Sequence, residues 1–218
     1  MLKNRLMPLS GIVFVALILA SIFIANPPDS NASAGTVLTY YQAHQNVTSA
    51  SALLVGLSVI FGLLFYGYLR EYMRQDRATR WLASTAFGGV LVFAAGGVLS
   101  AGSFLALGDQ PRVLSAATAQ TINLIQSDVS NSFTQAGLAV FYLATGAAIL
   151  RGRLLPGWLG WVSVVLGILA ASLVLAFVAF IATALWVIVV AFLLRAKAAR
   201  ERAESESTPL RQEFAEQP

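Results

Sequence analysis

The sequence predicts an all-α fold, a polytopic membrane bundle of six transmembrane helices. The chain has 218 residues, of which 57% are hydrophobic and only 11% are charged, whereas a soluble domain carries about 25% charged residues. Residues 154–194 contain no Asp, Glu, Lys, Arg or His. As one helix they would be roughly 60 Å long, twice the thickness of the hydrocarbon core of a bilayer. This stretch must therefore cross the membrane, turn and cross back.

The first predicted span follows a basic start and ends before two prolines, Pro27 and Pro28, which cannot continue a helix. A basic start and an apolar run also describe a signal peptide, and residues 32–34 read as a small-residue cleavage site. We favour an uncleaved span because the run has about 20 residues, longer than the usual signal core. The six predicted spans cover residues 6–25, 50–69, 81–107, 129–150, 158–176 and 178–194.

Two loops between spans are expected to carry short helices that lie on the outer face of the bundle. In the first loop, residues 29–49, the second half is expected to be helical and to place Tyr41 and His44 on one side. In the second loop, residues 108–128, Pro111 can start a helix with an imperfect apolar stripe. The turn between the last two spans has no helix breaker and no charge, so length alone places it near residues 176–181.

The distribution of basic residues predicts that both termini are cytoplasmic. With six spans over residues 1–195 and the N-terminus inside, Arg112 is the only one of the fourteen Lys and Arg residues on the outer side. Such an excess of basic residues is typical of cytoplasmic loops. The tail, residues 196–218, begins as a basic continuation of the last helix and then becomes acidic and polar. We expect this tail to be disordered.

Polar side chains at the outer face form a candidate ligand vestibule. Tyr41 and His44 precede the second span, and Asp128, Asn131 and Gln135 lead into the fourth span on one helical face. If these two spans are neighbours, the five side chains can line a shallow entrance. The alternative is that they are simply hydrated, or that they cap helix ends, as polar residues at membrane interfaces commonly do.

Two further features favour contacts with lipid or with another helix. Arg70, Arg74 and Arg77 are expected to share one helical face, either as a docking face for anionic lipid or as a topology anchor. The third span carries small residues four apart, such as Gly96 and Ser100. Small residues let helix backbones approach closely in lipid, and a bound ligand can use the same space.

Several classes of function lack the residues they need. The chain contains no cysteine, which excludes disulfides, thiolate metal sites and thiol catalysis. No ionisable residue lies at mid-membrane depth in any predicted span, whereas proton-coupled carriers depend on such residues. The single histidine provides neither a metal site nor a base for a serine nucleophile. We expect no cofactor, no catalytic residues and no nucleic-acid partner.

The order of segments resembles a group of small six-span integral membrane proteins of unknown function from bacteria, common in actinobacteria. The residues that carry the resemblance cover most of the chain: Tyr40-Tyr41-Gln42-Ala43-His44, Leu69-Arg70, the outer helix between Asp109 and Asp128, and Leu154-Leu155-Pro156-Gly157-Trp158-Leu159-Gly160-Trp161. The resemblance implies a six-helix bundle in a bacterial plasma membrane. It implies no activity and no functional residue.

Two functional hypotheses follow from these features. The first is a non-enzymatic protein that binds a membrane lipid, another membrane protein or a second copy of itself, through the glycine-rich third span and the arginine face. The second is a small-molecule permease or sensor that uses the polar vestibule as its entrance. An enzyme is least favoured because the sequence offers no nucleophile with a base and no metal set.

Overall fold

The fold is known from a computed structural model that describes residues 3–153, 155–172 and 176–215. These residues form eight α-helices, and a π-helical turn, Ile125–Val129, joins α5 to α6. The helices are α1 (Lys3–Ile24), α2 (Ala34–Ala43), α3 (Gln45–Met73), α4 (Arg80–Asp109), α5 (Ala116–Leu124), α6 (Ser130–Gly152), α7 (Gly157–Ala171) and α8 (Ala176–Ala215).

Six of these helices form a closed ring in chain order. Each of α1, α3, α4, α6 and α7 packs against the next, and α8 packs against both α7 and α1. From α1 to α7, the close contacts pair early residues of each ring helix with late residues of the next, so the directions of these helices alternate. Five helices of the described chain are long and apolar enough to cross a bilayer, so the predicted helical membrane bundle is confirmed at this level. Helix α1 packs against α8. Its residues Phe14 and Val15 are buried in the core of the bundle.

Helix α7 is shorter than the span predicted over residues 158–176. It ends at Ala171, and at about 1.5 Å per residue it is only about 22 Å long. Ser172 leaves the helix with an extended backbone, and its hydroxyl donates to the carbonyl oxygen of Leu169 at 2.8 Å. A serine that bonds a preceding carbonyl in this way competes with further helix formation. The last three residues before α8, 173–175, lie outside the described residues.

Helix α8 extends well beyond the predicted sixth span. It continues to Ala215, so most of the segment for which we expected disorder is helical. Ala, Arg and Glu dominate this extension, and all three have high helix propensity.

The outer part of the fourth span differs from the prediction in its continuity. We expected a surface helix and a separate span from residue 129, with Asp128 available as a cap. Instead α5 continues into α6 through the π-helical turn. The Ser130 hydroxyl donates to the carbonyl oxygen of Ile125 at 3.0 Å, so it supports the wider turn and caps no helix end.

Close packing of α4 on α6 depends on glycine. A Cβ atom at Gly89 would lie 2.6 Å from the carbonyl oxygen of Gly137 and 2.6 Å from the amide nitrogen of Phe141. At Gly96 it would lie 2.7 Å from the carbonyl oxygen of Ser130. The neighbouring Gly88 has nothing within 4 Å. The predicted small-residue packing is therefore present, but Gly137, its partner on α6, was not recognised in the sequence.

Two short helices, α2 and α5, pack on each other at one end of the bundle. Each begins with the same cap: Ser33 accepts from the backbone N–H of Thr36 at 3.2 Å, and Ser115 accepts from that of Thr118 at 3.1 Å. Together with the adjoining ends of α3 and α4 they enclose a second apolar core, which we call the cap: Val37, Tyr41, Ala52, Phe104, Leu107 and Ala119.

The opposite end of the bundle, which we call the arginine-rich end, is where α3 ends and α4 begins. The buried Thr79 hydroxyl donates to the carbonyl oxygen of Met73 at 3.1 Å and closes the loop between them. On α8, Lys197 donates to the Tyr72 hydroxyl at 2.7 Å. This contact places the basic part of α8 beside the end of α3. The hairpin of α7 and α8 therefore returns to the arginine-rich end.

Candidate functional site: a cavity beneath the cap

A cavity of about 580 Å³ lies between α1, α3, α4 and α6 at the cap end of the bundle. Among the described residues, α7 and α8 contribute only Ala170 and Phe180 to its wall. The polar part of the wall comprises Ser21, Asn26, Asp29, Ser58, Ser100, Gln126, Ser130, Asn131, Thr134 and Gln135. The apolar part includes Ile18, Ile22, Val55, Val59, Phe93, Phe104, Leu138 and Phe180. The cavity is therefore amphipathic.

The α6 wall changes from polar to apolar with depth. Asn131, Gln135 and Leu138 follow one another on one face of α6 at spacings of four and three. The side chain of Gln135 is half buried, and its Oε1 has no hydrogen-bond partner among the described residues. A buried amide oxygen without a partner lowers stability by about 1–3 kcal/mol. A ligand that offers a donor to this amide removes that penalty.

Below the cavity, aromatic rings fill the centre of the bundle. Phe93 lies in the cavity wall, and its ring centroid is 6.2 Å from that of Phe14. The chain of edge-to-face contacts continues from Phe14 to Tyr66 at 6.0 Å, to Phe141 at 4.9 Å and to Trp186 at 5.4 Å. We call these five residues the aromatic floor. It separates the cavity from the arginine-rich end.

Hydrogen bonds join α2, α5 and the loop after α1 to one another at the cap end. The Tyr41 hydroxyl donates to Oδ1 of Asn123 at 2.8 Å, and both side chains are fully buried. The Asn123 amide donates in turn to the carbonyl oxygen of Pro28 at 3.3 Å, and Gln120 donates to that of Ser30 at 2.9 Å. Burial raises the pKa of Tyr41 well above its usual value, and the neighbouring Tyr40 adds to the rise.

The structure brings together only part of the predicted vestibule. Asn131 and Gln135 line the cavity. Tyr41 does not, because its side chain is a core residue of the cap. His44 joins α2 to α3, where its exposed ring stacks on Tyr40 at 4.4 Å. Asp128 is exposed on the π-helical turn and accepts a hydrogen bond from Ser127 at 2.9 Å.

The remaining polar lining of the cavity was not predicted. Ser21 on α1 and Ser58 on α3 contribute hydroxyl groups from inside long apolar segments. The signal available in the sequence was a serine inside each of two otherwise apolar predicted spans. The sequence did not show that α1 and α3 face α6 across one space.

The predicted arginine face is reduced to two residues. Helix α3 runs to Met73 with Arg74 as its C-cap, and Arg77 lies beyond this cap in the loop to α4, so Arg77 does not share the face of the helix. Arg70 and Arg74 both approach Glu71, with N–O distances of 3.0 and 3.4 Å. The guanidinium of Arg70 also lies over the ring of Phe87, 5.4 Å from its centroid. The guanidinium of Arg70 is therefore partly occupied by contacts within the protein, with Glu71 and Phe87.

Within the described chain, no three side chains of the types His, Cys, Asp and Glu come together in a metal-binding group. No family model matches the sequence, and no curated protein and no solved structure matches the chain.

Proposed function

We propose that the protein is a six-span, non-enzymatic binding protein of the bacterial plasma membrane, with both termini in the cytoplasm. The alternating ring supports six spans, since α7 completes the passage from α6 to α8. The clustering of basic residues at the arginine-rich end supports the orientation. The burial of Phe14 among other core residues supports a first helix that is retained as part of the bundle.

We further propose that the ligand is a membrane lipid or a lipid-like amphiphile bound in the cavity. The single observation that carries this is an amphipathic cavity of about 580 Å³ inside an apolar bundle. Ligand sites are typically about 300–1,000 Å³, mostly apolar, with a few placed polar groups. A membrane protein takes such a ligand from the surrounding bilayer, where amphiphiles are concentrated.

The aromatic floor favours binding over transport. A permease needs a route from the cavity to the opposite end, and the five packed rings occupy that position. Moving them requires the rearrangement of contacts between at least four helices. A role as a sensor or carrier protein that holds its ligand on one side needs no such rearrangement.

Native mass spectrometry of the protein released from its own membrane tests this proposal. We expect a bound small molecule in the wild type. Ser100→Phe places a ring in the cavity and is expected to abolish the adduct. Val98→Phe is the matched control, because Val98 is 60% exposed on the lipid-facing side of the same helix. An adduct that survives Ser100→Phe, or a wild-type protein without any adduct, would contradict the proposal.

A further inference from the structure

We infer that the ligand of this cavity carries a hydrogen-bond-donating head with no negative charge, best an ammonium group, on an apolar body. This inference rests on the proposed function and concerns the chemistry of the same site. It follows from which protons and charges the cavity wall has available.

Four hydroxyl groups in the wall have already committed their protons to the protein. Ser21 donates to the carbonyl oxygen of Ile18 and Ser58 to that of Val55, both at 2.7 Å. On the α6 side, Thr134 donates to Ser130 at 2.9 Å, and the Ser130 hydroxyl donates within the π-helical turn. A hydroxyl whose proton is used in this way presents only lone pairs to a ligand. These groups therefore act as acceptors.

The side-chain amide of Gln135 also favours a ligand that donates a hydrogen bond, because its oxygen lacks a hydrogen-bond partner. The opposite end of the wall carries Asp29, the only charged residue that lines the cavity within the described chain. An ionised carboxylate accepts hydrogen bonds and donates none. The remaining polar groups of the wall keep donors, because the Ser100 hydroxyl accepts from Gln126 and the side-chain amides of Asn131 and Gln135 carry N–H groups. The charge of the wall is negative, so a carboxylate or phosphate head would be repelled by Asp29.

The charged residues around the entrance of the cavity are also mainly negative. Besides His44, the charged side chains at the cap end are Asp29, Asp109, Asp128 and Arg112. Three carboxylates against one guanidinium leave a net negative potential, which raises the local concentration of cations.

The lower part of the cavity fits an apolar body. Val59 and Leu138 supply aliphatic surface, and Phe93 supplies an aromatic ring. Aromatic faces attract ammonium groups as well as hydrocarbon. An alkylammonium can therefore place its chain above the aromatic floor and its head among the acceptors of α1, α3 and α6.

Photo-crosslinking of the full chain in phosphatidylcholine nanodiscs tests the head group directly. The probe is a decanol derivative with a diazirine at the end of its chain, and labelled peptides are located by mass spectrometry. Unlabelled decylamine, decanol and decanoate compete with it at equal mole fractions in the bilayer. We expect labelling in the cavity wall, displaced most by decylamine, less by decanol and least by decanoate, with at least a tenfold difference between the first and the last.

Two variants separate the contributions of charge and acceptor. Asp29→Asn is expected to reduce the advantage of decylamine over decanol several-fold. Asp109→Asn, which removes one carboxylate at the same end but outside the cavity wall, is expected to reduce this advantage much less than Asp29→Asn does. Gln135→Leu is expected to weaken decylamine and decanol alike.

The outcomes distinguish this inference from the proposed function. Labelling of the cavity that decanoate displaces as well as decylamine does would overturn the head-group inference and leave binding in place. An absence of saturable labelling in the cavity wall would overturn both.

Discussion

The hydroxyl of Tyr41 donates a hydrogen bond to Oδ1 of Asn123 across 82 residues of sequence, at 2.8 Å and without access to solvent. The bond joins α2 to α5, and Asn123 passes the connection on to the carbonyl oxygen of Pro28. The loop after α1, both short helices and the outer ends of α3 and α4 are thereby organised as one cap. Because α5 continues into α6, the cap is also joined directly to the cavity wall.

Loss of the Tyr41 hydroxyl is expected to destabilise the cap. Tyr41→Phe keeps the ring and leaves Oδ1 of Asn123 buried without a donor, which costs about 1–3 kcal/mol. The measurement is hydrogen exchange of α2 and α5 in detergent, where protection is expected to fall. Tyr40→Phe is the control, because the Tyr40 hydroxyl only accepts an exposed bond from the backbone of Asn26 at 3.2 Å. Equal losses in the two variants would count against a special role of the buried bond.

Alkaline pH is expected to weaken the cap through the same residue. The pKa of Tyr41 is raised in the folded state, so folding favours the neutral phenol. The resulting stabilisation is complete below the ordinary tyrosine pKa of about 10 and is lost as the pH rises from there toward the folded-state pKa. Thermal unfolding at pH 8 and pH 11 measures this, and the drop in Tm is expected to be smaller in Tyr41→Phe. A drop of the same size in both proteins would show that other groups cause it.

The contact between α4 and α6 is expected to tolerate no side chain at Gly89. Gly89→Ala places a methyl group against backbone atoms of Gly137 and Phe141, and overpacking of this kind costs about 1–3 kcal/mol. Gly88→Ala, one residue away in open space, is expected to be neutral or stabilising because alanine favours helix. Unfolding in a mixed-detergent titration measures both. A Gly89→Ala protein as stable as Gly88→Ala would mean that the helices pack less closely than described.

A buried polar pair secures the helical hairpin of α7 and α8. The indole N–H of Trp186 donates to the Ser163 hydroxyl at 3.0 Å, and both residues are buried. Ser163→Ala leaves this donor without its partner and is expected to cost about 1–3 kcal/mol. Ser84→Ala is the control, since the exposed Ser84 hydroxyl bonds only its own helix, to the carbonyl oxygen of Arg80. The same unfolding titration compares the two, and a control that loses as much as Ser163→Ala would contradict this assignment.

The proposed orientation can be tested with single cysteines, because the chain has none of its own. Asn31→Cys introduces a thiol at the cap end, and Gln75→Cys introduces one at the arginine-rich end; both positions are exposed. A membrane-impermeant maleimide added to intact cells is expected to label the first thiol and to reach the second only after lysis. The opposite pattern would reverse the topology.

The regular parts of the fold follow from patterns that the sequence carries locally. Long apolar segments and their basic flanks indicate the helices of the ring, since hydropathy and charge act residue by residue. The irregular parts depend on contacts between distant residues. Helix α7 ends at Ala171, where Ser172 takes an extended backbone, and α5 joins α6 through a π-helical turn supported by Ser130. Serine is common among small and polar residues, so neither Ser172 nor Ser130 stands out in the sequence.

The candidate site was predicted in part for the same reason. Asn131 and Gln135 share a helical face, so their spacing alone identified them. Tyr41 was placed beside them because the sequence gives no sign that Asn123, far along the chain, satisfies its hydroxyl inside the cap. The walls from α1 and α3 depend on the closure of the ring, which no local pattern encodes.

The proposed function requires the cavity beneath the cap to hold a small amphiphile. An experimental density map of the wild-type protein, extracted into nanodiscs together with its own lipids, tests it most directly. We expect elongated non-protein density with one end near Asp29 and Asn131 and the other above Phe93. A cavity that contains only separate water peaks, or that is closed by direct packing of α1 against α6, would contradict the account.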